Sequence, residues 1–302
     1  MSPYSFRSGI APLPPTVHSP TIHPSNANAP LGSPARPFLK WAGGKGRVLT
    51  QYVPYFPSFS TYYEPFLGGG AVFFHLQATT HLANAYLMDI NQELVNVYRC
   101  IRDEVDIVVQ QLQYHQHHHN RDYYYHIRAT VPQSPVQRAA RLLYLNKTCF
   151  NGLYRENAQG QFNVPLGRYK RPNICPTEVL KAAARSLQCV HLSVNPFELV
   201  LEKAHTSQDF VYFDPPYHPI SPTSNFTSYS RYSFSAEDQS RLRDTFVILA
   251  NRGVKVMLSN SDCPFVRDLY RDFPIHTIYA ARAINSKANK RGKITEVLVT
   301  SY

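Results

Sequence analysis

Thr61-Tyr62-Tyr63-Glu64-Pro65-Phe66-Leu67-Gly68-Gly69-Gly70-Ala71-Val72-Phe73-Phe74-His75-Leu76 decides the fold. Thr61 to Phe66 is rich in aromatic and β-branched residues and reads as a strand. The glycines allow a tight turn, and Ala71 to Leu76 reads as the start of a helix. Strand, glycine turn and helix in that order form the nucleotide-cradling unit of a doubly wound α/β sheet. A second strand, Ala85-Tyr86-Leu87-Met88-Asp89, ends in an acid 19 residues after Gly70. A carboxylate there can accept hydrogen bonds from both hydroxyls of a ribose. Together these features favour an adenosine-containing cofactor. NAD(H) and S-adenosylmethionine both remain open on this ground. The glycine spacing does not match G-x-G-x-x-G, which counts against a dinucleotide.

The α/β pattern resumes after about Pro176. Val190 to Val194 reads as a strand ending at Asn195-Pro196-Phe197, and Asp209 to Asp214 as another. Ala236 to Arg252 reads as a helix capped by Ser235. Val254 to Asn260 is a strand, Pro264 to Asp272 a short helix, and Ile294 to Thr300 a closing strand. The intervening 92–178 has a different character. Asn91 to about Arg102 has helical spacing in Leu94, Val95, Tyr98 and Ile101. Val136 to Leu145 reads as an amphipathic helix carrying Arg138 and Arg141. The run Gln116-His117-His118-His119-Asn120 has no carboxylate or cysteine partner at helix spacing, so a wet surface, not a metal site, is expected. Asn157 to Gly160 lies between two aromatic-bearing runs and reads as the turn of a β-hairpin.

Net charge is +11 over 302 residues, and it is unevenly spread. No acid precedes Glu64. From Arg138 to Arg171 there are seven Lys/Arg against Glu156 alone, and from Arg282 to Lys293 five Lys/Arg and no acid. Such clusters suit a polyanion such as nucleic acid, although a solvated basic surface has the same composition. Residues 1–35 are rich in proline with Ser, Thr, Asn and Ala, and read as a disordered tail. No apolar run is long enough to cross a membrane and no secretory signal opens the chain. The five scattered cysteines form no C-x-x-C, which favours a reducing cytoplasm over a disulfide framework or zinc site.

Phe210-Val211-Tyr212-Phe213-Asp214-Pro215-Pro216-Tyr217 is a buried strand that stops abruptly. Two prolines fix two φ angles and remove two donors, leaving a stiff turn with a carboxylate, a carbonyl and an aromatic ring. Ligands bind at that end of strands in open α/β sheets, though the same residues also make ordinary turns. Lys40-Trp41-Ala42-Gly43-Gly44-Lys45 lacks the glycine spacing of a phosphate loop. It offers a Trp face and an ammonium instead.

In order along the chain, these pieces resemble the Dam family of adenine-N6 DNA methyltransferases. The resemblance runs from about Pro37 to the C-terminus. It rests on Lys40-Trp41-Ala42-Gly43-Gly44-Lys45, Glu64-Pro65-Phe66-Leu67-Gly68-Gly69-Gly70, Asp89-Ile90-Asn91, Phe150-Asn151-Gly152-Leu153-Tyr154-Arg155, Phe162-Asn163-Val164-Pro165, Asp214-Pro215-Pro216-Tyr217 and Leu258-Ser259-Asn260. It implies a Rossmann-like, S-adenosylmethionine-dependent sheet in 36–91 and 179–302. An inserted, mainly helical target-recognition domain carrying a β-hairpin would occupy 92–178. Trp41, Lys45, Glu64, Phe66, Gly68, Gly70, Asp89, Ile90, Phe197 and Asp214 would hold S-adenosylmethionine. Asp214, Pro215, Pro216 and Tyr217 would be catalytic. Phe150, Asn151, Leu153, Arg155, Asn157 and Pro165 would bind double-stranded DNA, with 5′-GATC-3′ as the expected site. A monomer without metal, in a bacterial or phage-infected cytoplasm, is implied.

The chemistry fits such residues. The amino lone pair of adenine is delocalised into its ring, so it is a poor nucleophile. Acceptors on both N6 hydrogens, here the Asp214 carboxylate and the Pro215 carbonyl, favour a more electron-rich nitrogen. An unperturbed Asp titrates near pH ~4, so Asp214 is expected to be ionised without special tuning. The base must leave the stack to be reached, and stacking on Tyr217 offsets part of the few kcal/mol this costs. Protein-glutamine and RNA methyltransferases would share the cofactor site, but the former favour Asn in place of Asp214. A basic DNA-binding protein without catalysis would need neither Asp214 nor Tyr217.

Overall fold

Seven strands, β1 (Thr61–Glu64), β2 (Asn84–Asp89), β3 (Val190–Val194), β4 (Asp209–Phe213), β5 (Lys255–Ser261), β6 (Ile275–Ala281) and β7 (Lys293–Thr300), form one sheet ordered β3-β2-β1-β4-β5-β7-β6. The computed structural model describes residues 34–220, 234–281 and 293–302. The expected Pro-rich tail, save its last two residues, and the basic run from Arg282 to Gly292 lie outside them. Strands β1 to β5 are parallel, while β7 runs antiparallel to β5 and β6. The order reverses between β1 and β4. The carboxyl ends of those two strands therefore flank a crevice, the usual ligand site of such sheets.

Sequence dictates this centre. All five residues of β4 are buried. Phe210 and Tyr212 face one apolar layer, and Val211 and Phe213 the other. The first layer packs α2 (Ala71–Thr80), α3 (Gln92–His117), α5 (Pro135–Thr148) and α6 (Thr177–Ser186) against the sheet. The second packs α7 (Ala236–Asn251) and α8 (Pro264–Leu269). Helices on both faces of a mostly parallel sheet are the α/β class expected from the chain. Ser235 caps α7 as expected, in a reciprocal capping box with Asp238.

Several elements differ from the sequence reading. The helix expected over 91–102 continues to His117, with only Glu104 leaving helical φ/ψ. Its extension is driven by Val108, Val109 and Leu112, which are buried in the same layer as the sheet. A further helix, α4 (Arg121–Ala129), buries only Tyr124 fully, with Tyr123, Tyr125 and Ile127 packed part-buried against the same layer. The segment around Asn157 to Gly160, all of it within the described residues, forms no regular hairpin strands; isolated bridges Glu156 to Phe162 and Cys149 to Leu166 hold it instead. The edge strand β6 has no clear period-two pattern. Both sheet edges are occupied by side chains: Arg99 and Arg102 donate to the Leu192 and Val190 carbonyls of β3, and the Gln51 amide exchanges two hydrogen bonds with the Tyr279 backbone of β6. Such pairing shields an edge from another chain. Among the described residues, no helix is long and apolar enough to cross a membrane.

Candidate active site

The glycine turn is built around two left-handed backbones. Gly68 has φ +48°. Gly70 caps α2 at φ +66°, and a Cβ there would lie 2.9 Å from the Tyr98 hydroxyl, so no side chain fits. The turn is tied to the next strand, because Asp89 accepts from the Gly68 and Asn91 N–H groups through different oxygens. Burial lifts the Asp89 carboxyl to about 6, against the pull of those backbone donors. It is therefore mostly ionised at neutral pH and keeps lone pairs for a ligand. Glu64, at the end of β1, accepts from the Tyr62 hydroxyl at 2.8 Å and from Phe73 N–H at 3.2 Å. Burial outweighs both bonds and pushes Glu64 up to about 8, so it is largely protonated at neutral pH.

An aromatic wall stands opposite. Phe66 and Phe197 stack with centroids 5.4 Å apart, and Phe234 packs on both. Phe234 escaped sequence reasoning, since no periodic pattern surrounds it. Trp41 and Lys45 enter from the loop before α1 (Leu49–Tyr52). These residues enclose a cavity of about 900 Å³, within the size range of small-molecule sites. Every residue expected to hold the cofactor lines it, as do Asp214, Pro215, Pro216 and Tyr217.

The turn after β4 is held from several sides. Asn260 Nδ2 donates to Gln239, Gln239 Nε2 donates to the Pro216 carbonyl, and His218 N–H donates to Asn260 Oδ1. Gln239 and Asn260 are fully buried. Among the described residues, no hydrogen bond reaches the Pro215 carbonyl. Asp214 Oδ1 receives both the Lys45 ammonium at 2.7 Å and the Ser259 hydroxyl at 2.9 Å. Tyr212 braces Ser259 from behind at 2.9 Å. Oδ2 has no such partner among the described residues, and the side chain is 20 % exposed.

One expectation changes here. Asp214 is not an unperturbed carboxylate: burial raises its pKa, and Lys45 and then Ser259 oppose that rise. Its ionisation depends on the neighbouring ammonium. Lys45 also lies over the Tyr217 ring, 4.6 Å from its centroid, while the Tyr217 hydroxyl donates to Glu296 at 2.8 Å. The ring is thus fixed at its far end and has one face beside a cation.

The expected DNA-binding residues lie outside the cavity. Phe150, Asn151, Leu153, Arg155 and Pro165 are exposed on the segment after α5, and Phe150 and Leu153 are large apolar side chains. Arg155 Nε donates to Asn163 Oδ1 at 2.7 Å, which leaves its terminal nitrogens available for other acceptors. The Asn157 amide closes the turn through Gln159 and Gln161. Glu156, next to Arg155, accepts from the Tyr154 hydroxyl. Tyr154 in turn lines the cavity, so the segment after α5 and the cavity share a wall. Behind this segment, burial lowers Lys147 to about 8, with Lys40 and Arg36 adding to the fall.

The sequence is similar to those of known proteins. A profile of the family described as D12 class N6 adenine-specific DNA methyltransferase matches residues 41–284. A type II methyltransferase of Lactococcus lactis subsp. cremoris is 44% identical over 276 residues, covering 88% of this chain and 95% of its own. A type II methyltransferase of Methanocaldococcus jannaschii is 39% identical, covering 88% of this chain and 99% of its own. The DNA adenine methylase of Escherichia coli (strain K12) is 34% identical, covering 87% and 94%. With the sheet, the glycine turn and the Asp-Pro-Pro-Tyr turn in place, the chain belongs to the D12 class of N6 adenine-specific DNA methyltransferases.

Proposed function

We propose that the protein transfers the methyl group of S-adenosylmethionine to N6 of an adenine swung out of duplex DNA, within 5′-GATC-3′. One observation carries this reading: a carboxylate oxygen and a carbonyl, both without hydrogen-bond partners among the described residues, belong to consecutive residues after β4 that line the same cavity as the glycine turn and Asp89. The residues suit the cofactor. The stacked Phe66 and Phe197 with Phe234 offer an adenine slot. Asp89 keeps lone pairs for ribose hydroxyls, and Lys45 offers a cation to a carboxylate. S-adenosylmethionine, when bound, supplies an electrophilic sulfonium methyl.

The protein's part is positioning and charge. Asp214 Oδ2 and the Pro215 carbonyl accept the two N6 hydrogens, which orients the amino lone pair towards the methyl. Ser259 and Lys45 hold Oδ1, so the carboxylate cannot rotate away. As the N6–C bond forms and the S–C bond breaks, positive charge grows on nitrogen, and the two acceptors stabilise it. The nitrogen then sheds one proton, and Asp214 is the base in hydrogen-bond contact. Tyr217, pinned by Glu296, supports the base plane. Asp214 can stabilise the growing charge and take the proton only when ionised, so turnover falls as pH drops through its raised pKa.

In this reading, 36–91 and 179–302 carry out the chemistry and 92–178 finds the site. Phe150 is the wedge, and Asn151, Leu153, Arg155 and Pro165 face base edges. The free end of the Arg155 guanidinium suits the two acceptors of guanine, and Leu153 suits a thymine methyl. Agreement of these residues with GATC-reading family members supports that site. Methylation-sensitive sequencing of DNA from expressing cells tests the proposal. N6-methyladenine confined to GATC is expected. Methyladenine in another sequence would overturn the site, and its absence from DNA the whole reading.

A further inference from the structure

The cavity and the recognition segment are fastened together at one buried side chain. Asn146, on the last turn of α5, is 1% exposed. Its Oδ1 accepts from Lys40 N–H at 2.9 Å, and its Nδ2 donates to the Lys40 carbonyl at 2.8 Å and to the Gly152 carbonyl at 3.0 Å. The amide thus pairs with both backbone groups of Lys40 and adds a bond to the turn that precedes Leu153. Only one amide orientation satisfies one donor and two acceptors, so its direction is fixed by chemistry. Lys40 directly precedes Trp41, which lines the cavity. Gly152 lies between Asn151 and Leu153 on the exposed face. Its φ is +65°, and a Cβ there would sit 2.4 Å from Lys40 Cδ, so the two segments pack in contact.

A second link lies just beyond the first in both segments. The Trp41 indole stacks on the Tyr154 ring, with centroids 5.0 Å apart and planes inclined by 28°. Both rings line the cavity. The loop from Lys40 to Lys45 and the segment from Asn151 to Arg155 are therefore joined twice, by a triply bonded amide and by an aromatic stack. Neither can shift without carrying the other.

From this we infer that Asn146 is a positioning residue that couples the two halves of the reaction: engagement of the recognition segment with its DNA site sets the cofactor loop, through Asn146 and the Trp41–Tyr154 stack. The inference rests on the function proposed above. Its thermodynamic content is a coupling between sites, which is reciprocal: the DNA site tightens the cofactor, and the cofactor tightens the DNA site by the same factor. A residue that merely stabilised the fold would weaken neither ligand's effect on the other.

The test measures the Kd of S-adenosylhomocysteine, by calorimetry, with and without a duplex carrying one GATC site. It compares wild type, Asn146→Asp and Tyr154→Leu. The aspartate substitution keeps the acceptor for Lys40 N–H but loses the amide donors, and the leucine substitution removes the stack while keeping apolar bulk. In wild type the duplex should tighten S-adenosylhomocysteine by roughly 5- to 150-fold, the usual range of such coupling. In both variants the ratio should fall to within about twofold of unity, whatever the change in affinity for S-adenosylhomocysteine alone. Should Asn146→Asp fail to fold by circular dichroism, Tyr154→Leu decides. A wild-type ratio near unity, or a variant that folds and retains the wild-type ratio, overturns the inference. Methyl transfer by wild type to the same duplex separates the two readings. Transfer without coupling would leave the proposed function standing and remove the role of Asn146, whereas no transfer at all would remove the function itself.

Discussion

Asp214 hangs from a strand whose five residues are all buried, and the turn after it is clamped by Gln239 and Asn260. Arg155 stands on a segment held by two isolated bridges, the Asn146 amide and the Trp41–Tyr154 stack, and Asn163 orients its guanidinium. The first region has no freedom to adapt, whereas the second has exposed apolar and charged groups on a framework of few ladder bonds. Methyl transfer demands acceptors fixed to within fractions of an ångström, which a parallel sheet supplies. In the proposed function, base reading demands a protruding surface that can enter a groove, which a loop-rich segment would supply. Mutations in the two regions should therefore fail in different ways.

The largest effect belongs to the strand. Asp214→Ala should lower the methyl-transfer rate by about 10²- to 10³-fold or more, the scale of losing one preorganised group. Duplex affinity, measured by fluorescence anisotropy, should stay near wild type. A similar loss in both would blur the division between the regions.

Next comes the pocket floor. Glu64 titrates at about 8 in the folded protein, well above an unfolded glutamate. A raised carboxyl pKa means that its stability contribution is full below the unfolded value and is lost as pH rises through about 8. Denaturant titrations of the ligand-free protein should show ~3 kcal/mol less contribution from this group at pH 8 than at pH 5. Glu64→Gln should flatten that slope; an unchanged slope would show that Glu64 is ionised in the folded state.

The recognition segment should give smaller, selective changes. Arg155→Ala should cost ~1–3 kcal/mol of discrimination between GATC and a duplex altered at one guanine, in kcat/KM ratios. Transfer to the best substrate should otherwise survive. Unchanged site preference would remove Arg155 from this role. Asn163→Ala, which frees the Arg155 guanidinium without removing it, should lose about 0.5–1.5 kcal/mol of the same discrimination. An effect of Asn163→Ala exceeding that of Arg155→Ala would place the specificity on Asn163 itself.

The same contrast explains what could be read from the residues. Strands β1, β2 and β4 announce themselves because buried runs end in glycine, acid or proline, residues with few other uses there. Those endings also line the cavity, so the fold and its candidate site were legible together. The edge strand β6 mixes Ile275, His276, Thr277 and Ile278, because one side meets solvent and Gln51 rather than another strand. Helix α3 ran past its expected end because Glu104 interrupts the period while the chain continues. The clamp by Gln239 and Asn260 joins residues 21 apart on different elements, and no local pattern reveals it. Leu258-Ser259-Asn260 carried a family likeness, but only the packed sheet shows Ser259 against Asp214. Lys45 was expected to hold the cofactor and lines the cavity, while its ion pair with Asp214 was not legible, since 169 residues separate them.

The most direct measurement of the central claim is a reaction of purified protein with S-adenosylmethionine labelled in the methyl group. The substrate is a synthetic duplex holding a single GATC, and digestion to nucleosides is followed by mass spectrometry. One labelled nucleoside is expected, N6-methyldeoxyadenosine, formed by wild type, nearly absent with Asp214→Ala and absent when the GATC is scrambled. Label in any other nucleoside, or equal label in the scrambled duplex, would contradict the claim.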